Sequence, residues 1–131
     1  MKRYQSIAVG TLVAALCLGG GLAWQSQAAD AGKDAIKEVM KAYHKAPKGV
    51  DPVCKKAADG KATPDELKKL VAGYKVMVGA KAPRGDEASW KEKTAKLLAA
   101  CQALEKGEEG AAAKYKEALN CKACHQAHKP E

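Results

Sequence analysis

The chain has 131 residues, with 23 Lys and Arg against 15 Asp and Glu, a net charge of +8 and no Phe. That length supports one small domain once an export segment is set aside, and no run alternates apolar and polar residues in the manner of a strand, so a sheet-based fold is excluded. A basic balance suits a nucleic acid, an anionic membrane or an acidic protein, and export removes the first of these.

Residues 1–28 read as a signal peptide. Lys2 and Arg3 form its charged start, Ile7 to Leu22 an uncharged apolar stretch, and Ser26-Gln27-Ala28 a small-residue cleavage site, with cleavage expected after Ala28. A permanent membrane anchor is the alternative, and the glycines at 19–21 and the short apolar run argue against such a span. Cys17 follows Leu16, a poor context for lipoprotein processing, and belongs with the signal. Cleavage takes two basic residues and no acidic one, leaving residues 29–131, 103 residues with a charge of +6, destined for the periplasm.

The remaining sequence is rich in Ala, Lys, Leu and Glu and predicts an all-α fold. A first helix is expected from about Asp34 to Lys45, with Ile36, Val39, Met40 and Tyr43 on one face and Pro47 and Gly49 ending it. Asp51-Pro52 predicts a cap and a first-turn proline for a short helical piece through Ala58, closed by Gly60. Thr63-Pro64-Asp65-Glu66 combines an N-cap, a first-position proline and a capping-box glutamate, and opens a second long helix that turns Leu67, Leu70, Val71, Tyr74 and Val78 inward. After Pro83 and Gly85, Asp86 caps a third, with Trp90, Thr94, Leu97, Leu98, Cys101 and Leu104 at helical spacing, ended by Gly107 and Gly110. The last helix is expected from about Ala111 to His128, with Ala112, Tyr115, Ala118 and Leu119 inward. Four amphipathic helices with short connections predict an antiparallel up-down four-helix bundle.

The chemistry lies near the C-terminus, in Cys121-Lys122-Ala123-Cys124-His125. Two cysteines three apart on a helical turn can add to the two vinyl groups of one haem edge, and the adjacent His125 then faces the iron as proximal axial ligand. Zinc and thiol-redox sites use the same cysteine spacing. Zinc would need two further ligands from the scattered Cys54, Cys101, His44 and His128, and a thioredoxin-like site would need strands. One covalently bound haem c is therefore the expected cofactor, and its apolar surface would reinforce a core that is marginal at this size.

This chain resembles the class II cytochromes c, which include the cytochromes c-prime and their low-spin, methionine-ligated relatives. The resemblance covers residues 29–131 and rests on the haem motif near the C-terminal end, the four helices, and Val39-Met40-Lys41 in the first helix. Where family members follow the haem histidine with an aromatic residue and then Arg, this chain has His128 and Lys129. The resemblance implies periplasmic electron chemistry without catalysis and often a homodimer. It also poses a choice: a six-coordinate His/Met one-electron carrier, or a five-coordinate cytochrome c-prime-like protein that binds NO or CO.

Met40 is the expected distal axial ligand and His44 its alternative, since in the first helix only these two offer a suitable atom. At about 100° per residue, the inward direction set by Ile36, Val39 and Tyr43 lies roughly 70° from Met40 and 110° from His44. The bland alternative makes Met40 a core gap-filler and His44 a helix-end residue. Other residues carry plainer expectations. Trp90 is read as packing, Tyr43 and Tyr115 as buried rather than bonded to a propionate, and His128 as a surface or haem-edge side chain. Cys54 and Cys101, left over in an exported chain, are expected to form a disulfide, with two buried free thiols as the alternative. Lys116, Lys122 and Lys129 on the haem-bearing helix would steer an acidic redox partner.

Overall fold

The computed structural model describes residues 22–131, and their side chains from residue 32 onward. Residues 1–21 of the expected signal peptide lie outside the described residues. Among the described residues no helix is long and apolar enough to cross a membrane.

The chain is all-helical: α1 Leu22–Tyr43, α2 Val53–Ala58, α3 Pro64–Gly79, α4 Glu87–Glu105, α5 Ala111–Ala118 and α6 Cys121–His128. α1 starts well before Asp34 and continues through the expected cleavage point after Ala28. It ends two residues sooner than expected, leaving His44 just past its last turn, where the His44 N–H still donates to the Met40 carbonyl at 3.0 Å.

α3 begins as the sequence predicts. Thr63 Oγ1 accepts from the Glu66 N–H at 3.2 Å while the Glu66 carboxylate accepts from the Thr63 N–H at 2.9 Å, a reciprocal capping box. Asp86 caps α4 by accepting from the Ser89 N–H at 2.7 Å. α2 departs by one position: Pro52 is the N-cap, and Asp51 instead pairs with Lys55 at 3.0 Å.

The largest departure is at the C-terminal end, where one long helix was expected and two short ones form. α5 stops at Ala118, and Asn120 caps α6 by accepting from the Ala123 N–H at 3.0 Å. An Asn side chain satisfies the free amides of a new helix better than it continues an old one. The cysteine motif therefore opens α6 instead of closing a longer helix.

α3 packs along α4, α4 along α5, and α1 along α3; α2 bridges α3 and α5, while α6 rests on α4. The core between them holds Ile36, Val39, Leu70, Val71, Tyr74, Met77, Trp90, Leu97, Cys101 and Tyr115. Side chains of this size stabilise by about 1.5–3 kcal/mol each when fully buried. Close approach of α1 to α3 depends on Gly73, where a Cβ would stand 2.8 Å from the Tyr43 ring and 3.3 Å from Val39. Trp90 is packing, as expected, and its indole N–H donates to the Ala80 carbonyl at 2.9 Å.

His128 overturns its expectation. It is 1 % exposed, set edge-on to Trp90 with ring centroids 5.5 Å apart. Its Nδ1–H donates to the Arg84 carbonyl at 2.9 Å, which leaves Nε2 to accept from the Ser89 hydroxyl at 3.3 Å. The ring thus ties the end of α6 to the α3–α4 connection. Gly85 completes the contact: its φ is +78°, and a Cβ there would meet the Ala127 carbonyl oxygen at 2.5 Å.

Candidate functional site

A cavity of about 770 Å³ is lined by residues from α1 to α6, a volume within the range that holds cofactors and other small ligands. Met40 and His44 reach it from the first helix and the residue run just after it. Cys121, Cys124 and His125 reach it from α6, some eighty positions later in the chain. Leu97, Ala100, Ala103, Ala118 and Leu119 supply much of its apolar wall, and Lys93, Lys96 and Lys114 are balanced there by Glu92, Glu108 and Glu117.

The α6 side of the site follows from local geometry. With Asn120 as the cap, Cys121 and Cys124 stand three residues apart in the first turn, on one side of the helix. Cys121 is exposed, its thiol directed back toward the Leu119 carbonyl at 3.6 Å, and Cys124 is half-buried. Burial pushes the Cys124 thiol up, while Lys93 beside it acts in the opposite direction. His125 is exposed on the same helix and also faces the cavity.

Burial holds His44 down to about 4, and the nearness of His125 adds to the shift, since a proton on one imidazole disfavours a proton on the other. His44 is accordingly neutral at pH 7. Its Nε2 lies 3.2 Å from the Tyr74 hydroxyl, which in turn lies 2.7 Å from the Tyr115 hydroxyl. Both tyrosines are fully buried, and burial drives both phenols well above their ordinary range. Tyr115 is buried as expected, and its polar atom serves this chain. Tyr43 lies against Gly73. Met40 is half-buried, packed against the core and open to the cavity.

The remaining cysteines do not pair. Cys54 and Cys101 are both free and buried, so the expected disulfide is not formed. Cys101 sits on the apolar stripe of α4, its thiol pushed up to about 12 chiefly by burial. Cys54 instead faces the cavity, its thiol raised by burial and then by the neighbouring Cys121. The Tyr74–Tyr115 pair lies near both thiols.

Sequence reasoning missed Met77, and it assigned Cys54 to a disulfide instead of to the cavity. Met77 is 1 % exposed and reaches the cavity from α3; its spacing from Leu70 and Tyr74, seven and three residues on, carried that signal. Among the described residues no three His, Cys, Asp or Glu side chains converge as a metal ion would require, so the scattered zinc ligands are not assembled. The donors that do share the cavity are three thiols, those of Cys54, Cys121 and Cys124, the thioethers of Met40 and Met77, and the imidazoles of His44 and His125. That set fits a haem held covalently at one edge and ligated on both faces. Compared with known proteins, the chain matches no family model, no curated protein and no solved structure.

Proposed function

We propose that the protein is an exported, periplasmic monohaem c-type cytochrome that carries single electrons, built as an antiparallel four-helix bundle. One observation carries this reading: Cys121, Cys124 and His125 share a single cavity of about 770 Å³ with Met40 and His44, although the two groups lie at opposite ends of the described chain.

When bound, haem c supplies a reversible one-electron couple at its iron. Cys121 and Cys124 would fix its edge as thioethers, and His125 would serve as proximal ligand. Met40 would offer a thioether, which raises the potential relative to a second histidine and closes the iron to outside ligands. Leu97, Ala100, Ala103 and Leu119 would pack against the apolar surface of the haem. Lys122 and Lys129 are exposed on or beside α6 and give an acidic redox protein a basic surface to meet.

Absorption spectra of the exported protein and of its Met40→Ala, His44→Ala and Met77→Leu variants test the reading. The wild type is expected to hold one low-spin, six-coordinate haem that loses its sixth ligand in Met40→Ala alone. Loss in His44→Ala alone would make the site bis-histidine. A wild-type iron already five-coordinate would turn the function to NO or CO binding, and a protein without haem would end the proposal.

A further inference from the structure

We propose that Tyr74 is a positioning residue that selects the sixth iron ligand, by engaging the imidazole of His44 through a hydrogen bond so that the Met40 thioether takes the iron. The inference rests on the cytochrome reading above and concerns what keeps the His44 imidazole from the iron, although it faces the same cavity as the Met40 and Met77 thioethers.

Met40 and His44 both line the cavity that the α6 residues Cys121, Cys124 and His125 line. An imidazole is a strong iron ligand, so a thioether ligand beside it requires that the imidazole be held otherwise. The buried hydrogen-bond chain does this. Tyr115 and Tyr74 are each 0 % exposed, their hydroxyls 2.7 Å apart, and the Tyr74 hydroxyl lies 3.2 Å from His44 Nε2. A buried O–H must donate. The Tyr115 hydroxyl has Tyr74 as its hydrogen-bond partner. If Tyr115 donates to Tyr74, Tyr74 is free to donate to His44 Nε2, and every hydroxyl proton in the chain is used. The reverse direction, with His44 Nε2–H donating to Tyr74 and Tyr74 to Tyr115, strands the Tyr115 proton.

The favoured direction fixes the tautomer of His44. Nε2 uses its lone pair on Tyr74, and the neutral ring then carries its proton on Nδ1, which has no lone pair left for a metal. Both ring nitrogens are withheld from iron by one phenol, whose own orientation is set by a second. Neither thioether in the cavity has such a tether; Met77 is 1 % exposed within the core, which leaves half-buried Met40 as the free donor.

The test uses the haem-loaded protein. In the reduced, diamagnetic wild type, nitrogen NMR of labelled histidine should show His44 as the Nδ1–H tautomer with an acceptor Nε2; an Nε2–H tautomer overturns the inference without any variant. In Tyr74→Phe, His44 should displace Met40. The weak far-red band of thioether-bound ferric iron should vanish while the haem stays low-spin, and the reduction potential should fall. Tyr74→Phe combined with His44→Ala should restore both, which a loss of packing would not do. A Tyr74→Phe protein that keeps the thioether band refutes the role of Tyr74 and leaves the carrier reading standing. A wild type that lacks the band refutes the carrier reading itself.

Discussion

Replacing Gly85 by Ala probes how α6 is held. Two costs act at this position. A side chain at φ +78° enters the left-handed region, which costs about 1–2 kcal/mol for a residue with a Cβ. The new Cβ would also stand 2.5 Å from the Ala127 carbonyl oxygen, and regaining an ordinary contact of 3.4 Å requires a retreat of about 0.9 Å. That retreat moves the residue next to His128, whose Nδ1–H bond to Arg84 is only 2.9 Å long. Overpacking of this kind costs about 1–3 kcal/mol, so Gly85→Ala should lose about 2–5 kcal/mol in all. Gly49 supplies the control: its φ is +89°, yet nothing lies within 4 Å of an added Cβ. Gly49→Ala should therefore show the backbone cost alone. Denaturant unfolding followed by helical circular dichroism gives both values, and the variants should differ by at least about 1 kcal/mol, or about 4–8 °C in thermal midpoint for a domain this size. Equal losses would mean that Gly85 is needed only for its dihedral angle and that α6 does not bear on the α3–α4 connection.

The stability of the protein should also depend on pH through His44, which protonates near 6.5 when unfolded and is held to about 4 by burial and by His125. Between those values the unfolded chain binds more protons, so this contribution is complete above about pH 6.5 and is lost as pH falls toward 4, by up to about 3 kcal/mol. Urea midpoints across that range should show the slope, and His44→Gln should flatten it. Thiol titration of the haem-loaded, unreduced protein should find Cys54 and Cys101 silent when folded and both reactive in denaturant; no reactive thiol in denaturant would restore the disulfide. Electron exchange with an acidic redox partner should slow several-fold on raising salt, as screening shortens to about 8 Å at 0.15 M. Charge reversal at Lys122 or Lys129 should slow it at low salt, and rates indifferent to both would remove steering.

Much of this molecule is written in local sequence. The Thr63 capping box and the Asp86 cap need only neighbours within four residues, and both form as the pattern predicts. The approach of Cys121 and Cys124 to Met40 and His44 was legible in part, because the motif named one side of the site and the scarcity of donors in the first helix named the other. What escaped depends on tertiary placement. Asn120 could be read as a cap only by weighing it against an otherwise continuous helical pattern. His128 looks like surface until the α3–α4 connection brings Arg84, Ser89 and Trp90 around it. Two cysteines outside the motif suggested a bond, but which face of α2 meets the cavity was not visible in six residues. The Tyr74–His44 contact spans thirty positions, and no periodicity announces it.

The interruption at Leu119–Asn120 has a consequence for the order of biosynthetic events. A helix of eight residues does not hold its shape in water by itself, and α6 leans on α4 and on the His128 anchor more than on its own backbone. Its release breaks few contacts of the central core, which lies on α1 to α5. Local opening of this segment therefore costs less than global unfolding, and an exposed Cys121 travels with it. On the proposed reading, covalent attachment at the two thiols would not have to precede compaction of the rest of the chain: the tail could open, react, and be closed again by His128.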